Sequence, residues 1–357
     1  MNKQLFTFLS LVLLFFCLVC NRSPSQPEEK INNPRNYTWT VDTLAYPGSF
    51  QTQMRCIWGS SAKDVYVVGH NDGGSGKMYR YTGDGMWHHI NLPKIGHWFD
   101  LSAVYGFAEN DVWTVGYSRE LITRDSTGRG VYENRSLIFH YDGVQWNEVD
   151  LPEWGNMLES IWGSAPDDIW AGGINGTLFH YNGSFWEKDS LPKPIPETHV
   201  FFYNMVSITG NFDITYLLQH APFDNSGSRY YFYKNSYNSW TLIDSTLYTT
   251  RRGIWLSPND ELYTIGSGGV YRRNNSYWEN ILGNFKALGI NGTENDIFVV
   301  GYSGLINEKI YHFNGTDWWQ YENISIQGAE LLDIWTDGRE VFIVGYLGNN
   351  SIILHGK

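Results

Sequence analysis

The chain has 357 residues, with aromatics at 17%, charged residues also at 17%, and a net charge of -12. That balance leaves no basic surface on the scale of the whole chain, which argues against electrostatic binding to nucleic acid or to an anionic membrane surface. With 16 Trp and 24 Tyr the composition suits short β-strands packed through large flat side chains.

Residues 1–20 read apart from the rest: Lys3, an apolar run from Leu5 to Val19, then Cys20. This is the pattern of a secretion signal, and the run is short for a membrane span, which needs roughly 20 apolar residues. The Cys closing the run resembles a bacterial lipoprotein signal. That resemblance implies lipidation of Cys20, transfer across the inner membrane, and a lipid anchor in the outer membrane of the cell envelope as the only membrane contact. Ordinary cleavage near Cys20 and an uncleaved anchor are the alternatives. Residues 21–36, rich in Ser, Pro, Asn and Glu, read as a flexible tether, and residues 37–357 as the folded domain. Only Cys56 remains beyond the signal, so no disulfide can form within the domain. A lone Cys beside a repeated Trp reads as a buried apolar filler.

The phrase IWGSSAKDVYVVG, from Ile57, returns in degraded copies at Val104, Ile161, Ile254, Ile290 and Ile334. The copy around Ile161 divides into four short strands: LESIWGSA, DDIWAGG, TLFHY and SFWEKDSL, here A to D. Asn-Gly turns part B from C and C from D. Seven acidic residues open strand B: Asp64, Asp111, Asp168, Asp213, Glu261, Asp296 and Glu340. Most of their spacings fit four-stranded propeller blades of roughly 40 to 50 residues. Strand D carries Trp87, Trp146, Trp186, Trp240, Trp278 and Trp318, and the seventh unit ends without one. The stretch YTWTVDTL from Tyr37 aligns with SFWEKDSL around Phe185, which puts Trp39 in the missing strand. The expected fold is therefore all-β: a seven-bladed β-propeller of four-stranded antiparallel blades, its last blade closed by the N-terminal strand. The fourth copy lacks the Trp and Gly landmarks, so six complete blades with a divergent insert is the competing reading.

Gly172-Gly173 followed by Tyr181 and Trp186, and the matching Tyr141 and Trp146, resemble Kelch repeats. The IWGSxxDVWxVG phrase is similar to one in secreted bacterial propeller proteins. These resemblances imply the fold and little about activity.

The strand-B acids could suggest a cation site. Blade geometry would hold them apart, however, so each is expected to accept backbone N–H bonds in its own turn. His140, His180 and His312 fall at one position in three different blades, and read as packing or surface residues rather than zinc ligands. The strand-D Trp residues read as packing between blades. No sialidase-type Asp box, GxSxG elbow, HExxH or phosphate-binding loop occurs. No catalytic residue, metal or cofactor is assigned.

Function is expected where the copies differ, on the face shared by the B–C and D–A connections. The B–C connection of the second unit, Tyr117 to Ser136, reads as a long aperiodic loop that includes Arg124. The D–A connections supply Trp98 and Phe99, then Trp154, then Phe202 and Tyr203, then Tyr248 with Arg252. Aromatics with Arg are the composition of binding hot spots. The expectation is a monomeric, non-catalytic propeller that binds a protein or glycan. The alternatives are a carbohydrate-active hydrolase or lyase on the same face, for which neither Glu153 nor Asp100 is nominated, and an assembly subunit with a large apolar patch.

Overall fold

Strand B of the first blade, Asp64–Asn71, is apolar along most of its length and buried along nearly all of it. A strand covered on both faces loses the alternation of a half-exposed one, so Val-Tyr-Val-Val here signals burial rather than helix. Around such strands the chain forms seven antiparallel four-stranded sheets. The computed structural model describes residues 33–73, 77–93, 98–192, 204–223, 227–247, 251–304, 307–324 and 326–357. Cys20 and most of the expected tether lie outside them. The compact unit is Pro34–Lys357.

Blades 1 to 6 each follow chain order, and the seventh is the exception. Its sheet runs Trp39–Leu44, Asn350–Gly356, Val341–Leu347, Ala329–Thr336, so the N-terminal strand is the outermost strand of the last blade. Trp39 pairs with Gly356 and Leu44 with Ser351, and Thr38 and Lys357 exchange backbone hydrogen bonds at 2.9 and 3.1 Å. The ring is thus closed by a strand rather than a covalent link. Two residues of the expected tether belong to this closure: Arg35 pairs with Asp317 at 3.0 Å, and the Pro34 carbonyl accepts from the Tyr321 hydroxyl at 2.8 Å. Blade 4 is complete, with strands Asn204–Gly210, Thr215–Phe223, Gly227–Ser236 and Ser239–Leu247, which removes the six-blade reading.

The repeated phrase explains how neighbouring blades fit. A Cβ on Gly106 would stand 2.6 Å from the Trp58 ring of the preceding blade, and one on Gly59 would stand 3.0 Å from Trp335. At these seams, and where Trp162 stands 2.7 Å from a Cβ on Gly210, a strand-A Trp lies over the strand-A Gly of the next blade, and the Trp335 to Gly59 contact carries this across the ring closure; at Gly163 the neighbour is Phe107. Burying an indole removes some 150–250 Å² from water, on area grounds roughly 4–6 kcal/mol for each seam that carries a Trp.

The strand-B acids do something other than cap their own turns. His140 meets Asp111 at 2.8 Å, His180 meets Asp168 at 2.7 Å, His312 meets Asp296 at 2.6 Å and His355 meets Glu340 at 2.5 Å. Arg80 to Asp64 and Arg272 to Glu261 take the same place in blades 1 and 5. Each His also stacks on the strand-B aromatic beside it, at 3.8 Å between ring centroids for Trp113 and His140. The expected backbone partners are replaced because strand C brings a base directly alongside the carboxylate, and a charge-assisted bond is the stronger one.

Candidate functional site

The connection from Tyr117 to Ser136 is not a loop. Strands B and C of blade 2, Asp111–Arg124 and Gly130–Tyr141, continue past the sheet as a two-stranded hairpin whose pairs run out to Arg124 with Gly130. Its tip is set by Asp125, whose carboxylate accepts the backbone N–H groups of Thr127 and Arg129 at 2.8 and 3.0 Å. The Thr127 hydroxyl, which donates to the same carboxylate at 2.7 Å, and then those backbone bonds hold the Asp125 carboxyl below the usual carboxylate range. The β-branched and aromatic residues of ELIT and GVYEN on either side of an Asp-Ser-Thr-Gly turn are the signal in the sequence. Leu121 lies directly opposite Tyr132, and both are exposed, as are Ile122 and Val131. Arg119 stacks over the Tyr132 ring at 5.0 Å.

Two of the expected aromatics flank the base of this hairpin. Trp98 pairs with Arg119 in the sheet and is 76% exposed, while the Trp154 carbonyl accepts from the Ser136 N–H at 2.7 Å and its ring is 47% exposed. Phe99 departs from expectation as an exposed contact. It is only 5% exposed, because successive strand residues point to opposite faces and its ring turns onto Phe139. Arg124 sits at the hairpin tip and donates to the Gly128 carbonyl at 3.0 Å, so it braces the turn. Phe202, Tyr203 and Tyr248 lie outside the described residues.

Beside Trp98 a rim cavity of about 420 Å³ opens between blades 1 and 2, lined in part by His70, Asp72, Lys77, Asp100 and Arg119. Asp100 is held by His70 at 2.9 Å, Lys77 at 2.9 Å and Tyr117 at 3.2 Å. The Asp72 carboxylate accepts from the Ser49 hydroxyl and from the Gln51 and Phe50 N–H groups, which hold its pKa at about 2. Both carboxylates are thus engaged in fixing the wall, an arrangement suited to rigid recognition more than to proton transfer.

A second cavity, about 400 Å³, lies on the propeller axis and takes lining from all seven blades. Each described strand A has a register break at the same place, between Met54 and Cys56, Leu101 and Ala103, Leu158 and Ser160, Met205 and Ser207, Arg251 and Gly253, Ala287 and Gly289, and Leu331 and Asp333. The bulge leaves one residue per blade unpaired and re-aims it. These residues include Arg55, Ser102, Glu159, Arg252, Leu288 and Leu332, all facing the axial cavity. Arg252 is therefore an axial residue and not a rim contact beside Trp98. Arg251, its neighbour, is buried with its guanidinium 3.8 Å from the Tyr271 ring.

The residue after each bulge builds the cavity wall. Asp333 accepts the Ile57 N–H at 3.0 Å, Ser160 accepts the Ile208 N–H at 3.1 Å, and Ser207 accepts the Ile254 N–H at 3.2 Å. Cys56 makes the same link to Val104 through sulfur, with the Val104 N–H to Sγ distance at 3.4 Å. Each bond crosses from one blade to the next. Burial pushes the Asp333 carboxyl up to about 6, against the two N–H groups it accepts, and burial likewise pushes the Cys56 thiol up. A thiol so raised is a wall residue and a poor nucleophile.

No protein-family model and no curated protein matches this chain. Solved structures do resemble it in fold. YCF48 bound to D1 peptide superposes with a TM-score of 0.61 at 15% identity, covering 91% of this chain and 97% of that one. YCF48 from Cyanidioschyzon merolae gives 0.59 at 14% identity, covering 88% and 98%. A GH74 enzyme of Niastella koreensis gives 0.54 at 16% identity, covering 87% of this chain and 53% of that one.

Proposed function

We propose that this protein is a non-catalytic propeller that binds a protein partner on the face of its B–C and D–A connections, held at the cell envelope by lipid on Cys20. The observation that carries the reading is the blade 2 hairpin. It raises Leu121, Ile122, Val131 and Tyr132, all exposed, between the indoles of Trp98 and Trp154. Monomeric soluble surfaces seldom gather large apolar side chains in this way without a partner to cover them. Two flat indoles, a tyrosine and Arg119 are the residue types that dominate interface energetics. The hairpin beyond the sheet also carries backbone edges open to strand addition. YCF48 has been seen with a bound peptide on a similar fold, which supports a protein ligand over a glycan.

A phage-displayed peptide library selected on the purified full-length protein tests this. Enrichment that is lost in the combined variant Trp98→Ala, Leu121→Ser, Tyr132→Ser is the expected result. Binding on a glycan array alone, or selected peptides that ignore these changes, would overturn it. For the anchor, globomycin treatment or Cys20→Ser should release the protein from the membrane fraction. An unchanged membrane association would sink the lipoprotein reading.

A further inference from the structure

Around the axis, the bulge position of blades 1, 3 and 5 carries Arg55, Glu159 and Arg252, while blades 6 and 7 carry Leu288 and Leu332. The charges therefore alternate in sign on one arc of the ring, with an apolar arc completing it. No ion pair within 4.0 Å forms among the three; Arg55 and Arg252 act on Glu159 only at longer range. Neither arginine side chain donates to another described residue, and the other wall carboxylate, Asp333, is engaged by the Ile57 and Ile334 N–H groups at 3.0 and 2.9 Å. Two guanidiniums thus present up to ten N–H donors to a shared cavity of about 400 Å³, and no acceptor among the described residues, Glu159 included, lies within hydrogen-bond distance of either. A group that builds the wall behaves differently. The residues one step along each strand, Cys56, Ser160, Ser207 and Asp333, spend their polar atoms on the next blade's backbone.

We propose that the axial cavity is a carboxylate-binding site, with Arg55 and Arg252 gripping the anion and Glu159 limiting how much negative charge the ligand can carry. The planar guanidinium fork matches a carboxylate in geometry, and a cavity walled by protein strengthens the pairing relative to water. Leu288 and Leu332 offer the apolar arc against which the ligand's hydrocarbon part would rest. The cavity volume admits either a free small carboxylate or the terminal residue of a peptide chain. This site does not depend on the hairpin reading, because its residues lie on the axis and not beside Trp98.

Titration calorimetry of the full-length protein in chloride buffer tests the idea, using acetate, succinate, glycine and a tetrapeptide with its C-terminus either free or amidated. At least one carboxylate probe should bind saturably, and Arg55→Gln or Arg252→Gln should each weaken it by about tenfold or more. Both variants should shift the unfolding midpoint little, since neither side chain hydrogen-bonds a described residue and each acts on Glu159 only at longer range. Glu159→Gln should tighten succinate and leave or loosen glycine. Succinate binding would assign a free small molecule, whereas binding of the free but not the amidated tetrapeptide would assign a chain terminus. Trp98→Ala should leave all these affinities unchanged, so failure here and failure of the hairpin reading are separable. If no carboxylate probe binds, or if the arginine variants bind as the wild type does, the proposal is wrong.

Discussion

Two rings of residues repeat around this propeller, and they treat their side chains in opposite ways. In the outer ring the acid opening strand B meets a base on strand C, and the same pair returns in blades 1, 2, 3, 5, 6 and 7. In the inner ring the backbone bulge is the constant feature, and its side chain changes from Arg to Ser to Glu to Leu. Where the repeat keeps a residue, the blade needs it. Where it keeps a geometry but releases the residue, the side chain is free to serve a ligand.

The strongest challenge to this contrast comes from two neighbours in one strand. Phe99→Ala should cost about 3–4 kcal/mol of stability by opening a cavity against Phe139, measured by urea unfolding. Next in size is the pH response of Asp333. Its folded carboxyl is raised from 3.8 to about 6. The native state therefore holds the proton more tightly than the unfolded chain, and this contribution is present at pH 4 and lost as pH rises through 6. The loss is at most about 3 kcal/mol by pH 7, and Asp333→Asn should flatten the stability curve across that interval. An unaltered curve would show that another group sets the response.

His312 is fully buried and bonded to Asp296, so His312→Ala should cost about 2–3 kcal/mol, leaving a carboxylate without its partner. If the same change cost nothing, the outer ring would not be structural. The smallest effects belong to the exposed positions. Trp98→Ala and Arg252→Gln should each move the folding free energy by less than about 0.5 kcal/mol in the same denaturation assay. A large loss at either would make it a packing residue and erase the contrast.

Much of the architecture was legible because a propeller imposes one local rule seven times. Trp39 could be matched to Trp186 by spacing and neighbours, and the pairing of Trp39 with Gly356 realises that match. The hairpin is hard to read in the sequence because its strands carry adjacent apolar residues, Leu121-Ile122 and Val131-Tyr132, instead of an alternating pattern, although the turn between them is only five residues. The inward turn of Phe99 is not legible in the sequence, because adjacent aromatics say nothing about which points inward. The axial placement of Arg55 and Glu159 is not legible in the sequence. Their phrases, MRCIW and LESIW, align with RRGIW and LLDIW, so a column of variable residues before Ile was visible, but not its meaning.

The sequence by itself determined the propeller class, the order of strands within a blade and the strand that closes the ring, since these follow from turn residues and a repeated apolar pattern that act locally; the fourth blade, without those landmarks, was decided by the structure. Only the tertiary structure decided which side chains meet. A bulge that aims Arg55, Glu159 and Arg252 into one cavity brings together residues about a hundred positions apart, and the bases of strand C find their acids across a strand pairing. Those meetings depend on the curvature of seven sheets about one axis, a property that no single repeat contains.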